Sequence, residues 1–249
     1  MSVLLEVDGL TRRFGGLVAV DALGFTVAER EIVGLLGPNG SGKTTVLNLL
    51  SGVLSPDAGR IGFRGQAIAG LPAHRIARLG MARTFQLVRP LASLTCRDNV
   101  RTGLAFGRRS AWGTAAETEA DRLLERVGLG DVRGSLPGEL TYIDQKRLEL
   151  ARALALQPDL LLLDEWLAGL NPTELEAGIA LIRSLNGQGI TILLVEHVMD
   201  AIRSLCHRCV VMNAGRLIAT GLPAEVLADR EVVRAYLGED EGDRGEGDA

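Results

Sequence analysis

The stretch Gly37-Pro38-Asn39-Gly40-Ser41-Gly42-Lys43-Thr44-Thr45 fills the phosphate-binding P-loop pattern G-x-x-x-x-G-K-[ST] at every specified position. Its glycines let consecutive backbone N–H groups turn toward phosphate oxygens, and the lysine adds a positive charge on the outer phosphates. The apolar run Ile32–Leu36 precedes the loop, and the residues after it have helical spacing. Strand, loop and helix in this order predict a site for a nucleoside triphosphate, with the positive end of the helix directed at the phosphates.

The composition allows one large domain or a domain with a subdomain, since 47% of the 249 residues are hydrophobic. The net charge of −4 hides a local concentration, because residues 239–249 hold six acids and one arginine and leave the rest of the chain at +1. A nearly neutral body without a basic stripe argues against nucleic acid as a partner. The acidic, glycine-rich residues 239–249 are expected to be disordered.

Neither a membrane span nor an export signal is predicted, because no apolar run approaches roughly 18 residues and the first residues lack a basic stretch followed by an apolar one. We therefore expect a cytosolic protein unless a partner holds it at a membrane. Cys206 and Cys209 look like half a metal site without a second ligand pair, so packing in the core is the favoured interpretation.

Short apolar strands that alternate with helical segments predict an α/β fold. Three runs are apolar throughout, as expected of parallel strands covered on both faces: Ile32–Leu36, Leu160–Leu163 and Ile190–Val195. Three others are short, alternate in polarity and predict an antiparallel sheet: Leu4–Val7, Gly24–Val27 and Ile61–Phe63.

The remaining segments predict a late hairpin and two helical regions. The hairpin pairs Cys209–Met212 with Arg216–Thr220. An amphipathic helix over Ala115–Val127 indicates a helical subdomain at about 88–158, and terminal helices are expected at about 222–238. The predicted architecture is thus a P-loop NTPase with a mostly parallel core sheet, an antiparallel β subdomain and an α-helical subdomain, within a single domain over residues 1–249.

A second motif carries the hydrolytic chemistry. The buried run Leu160–Leu163 ends in Asp164 and Glu165, which matches a Walker B element. In that motif the aspartate holds Mg²⁺ and the glutamate takes a proton from the attacking water. A hydrophobic strand ending in two acids is common by itself, but with the P-loop upstream it indicates hydrolysis of a nucleoside triphosphate.

From Leu4 to Gly238 the chain resembles the ATP-binding-cassette (ABC) ATPases, the nucleotide-binding subunits of membrane transporters. The likeness is greatest to the ATPase subunits of branched-chain amino-acid importers. Four segments carry it: Gly80-Met-Ala-Arg-Thr-Phe-Gln86, Arg147-Leu-Glu-Leu-Ala-Arg-Ala-Leu154, Ala168-Gly-Leu-Asn-Pro172 and Ala235-Tyr-Leu-Gly238.

This resemblance implies roles for further residues. Phe14 would stack on adenine, although a core aromatic is the alternative there. Gln86 would bind Mg²⁺ and the attacking water, and His197 would contact the γ-phosphate. Thr44 would bind Mg²⁺ together with Asp164, and Gly169–Asn171 would lie at a dimer seam. The implied ligands are ATP and Mg²⁺.

The sequence departs from the family at the signature segment, normally Leu-Ser-Gly-Gly-Gln, which contacts ATP held by the opposite subunit. Here it reads Leu140-Thr141-Tyr142-Ile143-Asp144. Ile143 is costly if a positive φ is required there, and Asp144 brings a negative charge unless it serves as a helix N-cap. Trp166 stands where the group usually has proline. We therefore expect an asymmetric pair, in which the site completed by Leu140–Asp144 is the slower one.

The resemblance also implies partners and a location. A second ABC ATPase subunit, identical or different, would complete the dimer, and transmembrane permease subunits would anchor it at the cytoplasmic face of the membrane. A solute-binding protein would act indirectly. The alternatives are an importer of urea, amides or other solutes, the ATPase of a lipid-type exporter, and a non-transport ABC ATPase with low turnover. An ABC ATPase acting on nucleic acid usually has two cassettes or a coiled-coil insertion, and this sequence has neither.

Overall fold

The computed structural model describes residues 2–242 of the chain. Its strands are β1 Val3–Phe14, β2 Leu17–Ala28, β3 Ile32–Leu36, β4 Ala58–Phe63, β5 Gln66–Ala67, β6 Met81–Arg83, β7 Leu160–Asp164, β8 Thr191–Val195, β9 Arg208–Asn213 and β10 Arg216–Gly221. Its helices are α1 Lys43–Leu50, α2 Ala73–Leu79, α3 Cys96–Phe106, α4 Gly113–Arg126, α5 Tyr142–Ala155, α6 Pro172–Gly187, α7 Met199–Leu205, α8 Pro223–Ala228 and α9 Arg230–Gly242.

The chain divides into two compact units. Among the described residues, the first consists of 2–71 together with 193–242, and the second of Pro72–Ile192. Strand β8 begins in the second unit and ends in the first. The P-loop therefore belongs to the first unit, whereas the acids after β7 belong to the second.

The first unit contains the predicted antiparallel sheet, in the order β2-β1-β4-β5. The strands β1 and β2 are longer than predicted and form one hairpin with Phe14 opposite Leu17. Register shifts interrupt this pairing, and Gly9 and Ala22 have left-handed backbone angles of +59° and +48°. These irregularities break the polar–apolar alternation, which is why only the ends of the two strands are visible in the sequence.

The same unit contains the order β10-β9-β3. Strand β3 is buried throughout and pairs in parallel with β9, with Leu35 opposite Val210. Strand β10 runs antiparallel to β9. The predicted buried strand and the predicted late hairpin are therefore both confirmed, and β3 leads directly into the P-loop and α1.

In the second unit, β6 and β7 pair in parallel, with Arg83 opposite Leu162. This register brings the residues after both strands to the same edge. Helix α4 corresponds to the helix predicted at Ala115–Val127 and lies against α3 and α5. A two-bonded ion pair joins α3 to α4, because Arg97 Nε and Nη2 donate to the two oxygens of Asp121 at 2.6 and 2.9 Å.

The C-terminal region differs from the prediction at one boundary. Helix α9 extends to Gly242, past the end of the terminal helices expected at about 238. Glutamate has a high helix propensity, and Glu239 and Glu241 continue the helix instead of ending it. The rest of the predicted disordered segment, 243–249, lies outside the described residues.

No helix within residues 2–242 combines the length and the apolar character required to cross a bilayer.

Candidate active site

The P-loop is shaped by close backbone approaches that only glycine permits. Gly37 has φ +148°, and a Cβ there would lie 2.2 Å from the carbonyl oxygen of Met212 in β9. Gly42 has φ +105°, and a Cβ there would lie 2.3 Å from the carbonyl oxygen of Ala19 in β2. The loop is thus fitted between two strands of its own unit, which fixes its backbone before any ligand binds.

The loop offers a positive charge and hydroxyl groups to an anionic ligand. Lys43 is only 6% exposed, and its Nζ donates to the carbonyl oxygens of Gly37 at 2.7 Å and Pro38 at 2.8 Å. The buried Oγ of Ser41 has no hydrogen-bond partner among residues 2–242. Thr44 is exposed on the first turn of α1, where the positive end of the helix dipole favours an anion. This arrangement suits a polyphosphate.

A residue from the C-terminal helix supports the loop from behind. The backbone N–H of Gly37 donates to the hydroxyl oxygen of Tyr236 in α9 at 2.9 Å. The sequence signals Tyr236 only as part of the Ala235–Gly238 likeness and gives it no role, because the contact joins residues far apart in the chain.

Asp164, the last residue of β7, forms a buried ion pair. Arg83 Nη2 lies 2.9 Å from Asp164 Oδ2, and the two side chains are 5% and 2% exposed. The other oxygen of the carboxylate, Oδ1, is buried without a hydrogen-bond partner in the described chain. An oxygen in that state is a good ligand for a hard cation, so the residues present fit the Mg²⁺ that the resemblance implies.

Glu165 and Gln86 lie together, as their implied roles require. The Nε2 of Gln86 donates to Oε2 of Glu165 at 2.7 Å. Glu165 is half-buried and has a left-handed φ of +49°, which is uncommon for a residue with a side chain. The segment after Gln86 is fixed by the buried Asn99, whose amide bonds to both backbone groups of Leu91.

Glu149 in α5 fixes the residue before Gln86. Its Oε1 accepts the backbone N–H of Phe85 at 3.2 Å, and its Oε2 is buried without a hydrogen-bond partner in the part of the chain that the structure describes. Burial raises the pKa of Glu149 to about 7, against the opposing effects of the Phe85 N–H and nearby cations. The sequence does not single out this residue.

The signature segment is a regular helix start. Thr141 is the N-cap of α5, and its Oγ1 accepts the backbone N–H of Asp144. The interpretation of Asp144 as the N-cap is therefore wrong; its carboxylate instead accepts from the Thr141 hydroxyl at 2.7 Å and pairs with Arg147 at 3.2 Å. Ile143 lies in the helix without a positive φ and is 8% exposed, so the expected strain is absent there. Leu140 precedes the cap, and Tyr142 is 53% exposed.

The resemblance also implies roles for Phe14, His197 and the segment Gly169–Asn171. Phe14 ends β1 and is 43% exposed, with the Arg12 guanidinium 4.9 Å from its ring centroid, so the core-aromatic alternative does not hold. His197 follows β8 and is half-buried. Gly169 is exposed with φ +76°, and Asn171 caps α6.

Comparison with known proteins gives two family matches. A family model described as "ABC transporter" matches residues 20–168. A second, described as "Branched-chain amino acid ATP-binding cassette transporter", matches residues 216–242, which include Tyr236.

Individual proteins give similar results. The high-affinity branched-chain amino acid transport ATP-binding protein LivG of Salmonella typhimurium is 44% identical over 250 residues, covering 95% of this chain and 98% of LivG. The lipopolysaccharide export system ATP-binding protein LptB of Escherichia coli K12 is 35% identical, with 95% and 98% covered. The ADP conformation of MJ1267, an ATP-binding cassette of an ABC transporter, superposes with a TM-score of 0.87 at 28% identity, over 96% of this chain and all of that one. This likeness confirms the predicted fold class.

The raised pKa of Glu149 predicts a pH-dependent stability. Between about pH 4.5 and 7 the unfolded chain ionises this carboxyl while the folded chain keeps its proton, so the free energy of unfolding falls as the pH rises through that range. Glu149→Gln stays neutral and should gain up to about 3 kcal/mol relative to the wild type between pH 5 and pH 8. Urea denaturation at several pH values measures this difference. The exposed Glu176 provides a control, because the free energy of unfolding of Glu176→Gln should depend on pH as that of the wild type does. The same pH dependence in Glu149→Gln would contradict the assignment of a raised pKa to Glu149.

Proposed function

The chain belongs to the ABC transporter family of ATP-binding subunits, and from this premise we propose that it powers an importer of branched-chain amino acids. Members of this family hydrolyse ATP to drive transport, and the chain is an ATPase in that sense.

The observation that carries the residue assignment is the hydrogen bond between Gln86 and Glu165. Glu165 is the proposed base that takes a proton from the attacking water, and Gln86 orients that water. Lys43 neutralises charge on the outer phosphates, and His197 contacts the γ-phosphate. Positioning and electrostatic stabilisation account for most of the rate enhancement in such reactions.

The nucleotide itself is held by the loop and an aromatic face. Phe14, accessible at the end of β1, is proposed to stack on adenine. The backbone N–H groups and side chains of the P-loop are proposed to bind the phosphates: Gly37, Pro38, Asn39, Gly40, Ser41, Gly42, Lys43, Thr44 and Thr45.

Three side chains are the proposed holders of Mg²⁺: the Thr44 hydroxyl, the Gln86 amide oxygen and the Asp164 carboxylate. When bound, the cation supplies positive charge to the phosphate oxygens. Arg83 keeps one carboxylate oxygen of Asp164 engaged, so the buried Oδ1 is the one left for this role.

Support for the solute class comes from two sources. The C-terminal match at 216–242 is to a branched-chain amino acid transporter family, and LivG is more similar to this chain than LptB is, at 44% against 35% identity. Because an LptB-type relative covers the same share of the chain, export of a lipid-linked molecule is the second candidate. Urea or amides remain alternative solutes for an importer.

Partners follow from the mechanism. Two ATPase subunits close around ATP, and the motion passes to transmembrane permease subunits near Gln86, which would hold the chain at the cytoplasmic face of the membrane. A solute-binding protein delivers the substrate to the permease. The second ATPase subunit is either a different chain or a copy of this one.

Hydrolysis should depend on Lys43 and Glu165 in different ways. Lys43→Ala should weaken Mg-ATP binding about 10- to 100-fold through loss of a charged hydrogen-bond donor. Glu165→Gln should bind Mg-ATP as the wild type does but hydrolyse it about 10²- to 10⁴-fold more slowly, since only the base is lost. Calorimetric titration and phosphate release measure the two effects. Wild-type hydrolysis by Glu165→Gln would contradict the assignment of the base.

Asymmetry between the two sites is expected if the partner carries an ordinary signature segment. The altered Leu140–Asp144 segment would complete the partner's site, while this chain's Glu165 serves the faster one. In the reconstituted pair, Glu165→Gln should therefore abolish more single-turnover hydrolysis than the same change in the partner. An equal or larger loss from the partner's glutamate would rule out this asymmetry.

The solute is tested by reconstitution with the permease subunits and the binding protein in proteoliposomes. Internal ATP should drive uptake of radiolabelled leucine, isoleucine or valine, and the same vesicles containing Lys43→Ala should show only background uptake. ATP-dependent uptake of urea or a short amide, with no uptake of the three amino acids, would overturn the proposed solute class.

A further inference from the structure

A buried lysine lies between the signature helix and the segment that carries Glu165. Lys146, in the second turn of α5, is 3% exposed. Its Nζ donates to the carbonyl oxygens of Ala168 at 2.7 Å, Trp166 at 3.0 Å and Glu165 at 3.4 Å. An ammonium group has three N–H donors, so its geometry matches three carbonyl oxygens that converge on one point.

The choice of lysine is informative in this chain. Among its 27 basic residues only two are lysines, Lys43 and Lys146, and the other 25 are arginines. A compact ammonium can be surrounded by carbonyl oxygens in a way that a planar guanidinium cannot. Both lysines occur where carbonyl oxygens of a functional loop surround the side-chain nitrogen.

Trp166 in turn donates a hydrogen bond to the backbone of Lys146. Its indole Nε1 donates to the backbone carbonyl of Lys146 at 3.1 Å, and its ring is 2% exposed. Helix α6 leaves room for the ring through Gly178, where a Cβ would lie 3.2 Å from Cζ3 of Trp166 and 2.6 Å from Cδ2 of Leu167. A proline at position 166, which the resemblance leads one to expect, has no such donor.

The segment held in this way contains an energetically unfavourable backbone. Glu165 has φ +49°, and a residue with a side chain stays in the left-handed region only where its surroundings impose that conformation. The carbonyl of Glu165 accepts from Lys146 Nζ and also from the backbone N–H of Ala168 at 3.2 Å. These contacts fix the direction of the Glu165 side chain, whose carboxylate meets Gln86.

We propose that Lys146 and Trp166 form a lock that holds Glu165 in its left-handed conformation. The lock is the pair of hydrogen bonds from Lys146 Nζ to the Trp166 carbonyl and from Trp166 Nε1 to the Lys146 carbonyl. It couples the position of the Glu165 carboxylate to helix α5. The lock rests on the proposed function only in treating Glu165 as the base. Lys146 and Trp166 are positioning residues, since they act through Glu165.

The lock has a consequence for communication between subunits. Helix α5 starts at the signature segment, and Lys146 Nζ lies 4.9 Å from the ring centroid of Tyr142 in that segment. A displacement of the helix start, as when the segment meets a nucleotide held by a partner, is transmitted to Glu165 of the same chain. The occupancy of one site would thereby adjust the base of the other.

Trp166→Phe is the sharpest test, because it removes the indole N–H and retains an aromatic ring. It should lower kcat for ATP about 3- to 10-fold, the range expected for one hydrogen bond, with the KM for ATP unchanged within twofold. Trp112→Phe is the matched control, since Trp112 is the only other tryptophan and is 67% exposed, and it should leave both constants unchanged.

A double-mutant cycle separates the lock from two independent packing effects. Lys146→Met should lower kcat at least as much as Trp166→Phe, and combining the two should cost no more than Lys146→Met alone, because either change opens the same lock. Should Lys146→Met fail to fold, Lys146→Arg takes its place in the cycle, with the same loss and the same lack of additivity expected from its planar head group.

The outcomes distinguish the lock from the function on which it rests. A wild-type kcat for Trp166→Phe, a loss that appears in the KM instead, or additive losses in the cycle would overturn the lock, provided that Glu165→Gln is inactive in the same assay. If Glu165→Gln keeps full activity, the assignment of Glu165 as the base is wrong, and this part of the proposed function fails together with the lock that depends on it.

Discussion

The ion pair between Arg83 and Asp164 is the constraint on which the functional residues of the second unit depend. Both groups are almost completely buried. The free-energy cost of burying a carboxylate is large unless a positive charge lies beside it. Parallel pairing of β6 with β7 brings Arg83 to the strand edge where Asp164 ends. The pair engages one oxygen of the carboxylate and leaves the other, Oδ1, buried without a hydrogen-bond partner in the described chain, which is the oxygen proposed to hold Mg²⁺.

The same principle explains how the neighbouring loops are held. Glu149 bonds the backbone just before Gln86, and Lys146 bonds the backbone just after Asp164. Each is a buried charged or titratable side chain on α5, and each finds its partner in the main chain of a functional loop. The helix that starts at the signature segment therefore positions both groups proposed to handle the attacking water. In the first unit, Tyr236 does the equivalent for the P-loop from the C-terminal helix.

The sequence predicted what depends on short-range pattern. The P-loop, the buried strands β3 and β7 and the late hairpin are each specified by consecutive residues, and the structure has them where expected. The long hairpin of β1 and β2 was underestimated because bulges disturb its alternation. The cap role considered for Asp144 was wrong because threonine and aspartate both suit an N-cap, and only the structure shows that Thr141, three residues earlier, is the cap. Lys146, Glu149 and Tyr236 were missed as functional residues because their partners lie far away in the sequence.

A structure of the chain with Mg²⁺ and a non-hydrolysable ATP analogue tests the central claim most directly. We expect the phosphates on the loop that starts at Gly37, the cation on Asp164 Oδ1, and the Glu165 carboxylate directed at the γ-phosphate with its left-handed backbone retained. Nucleotide bound elsewhere, or a Glu165 carboxylate turned away from the γ-phosphate in the closed dimer, would contradict it.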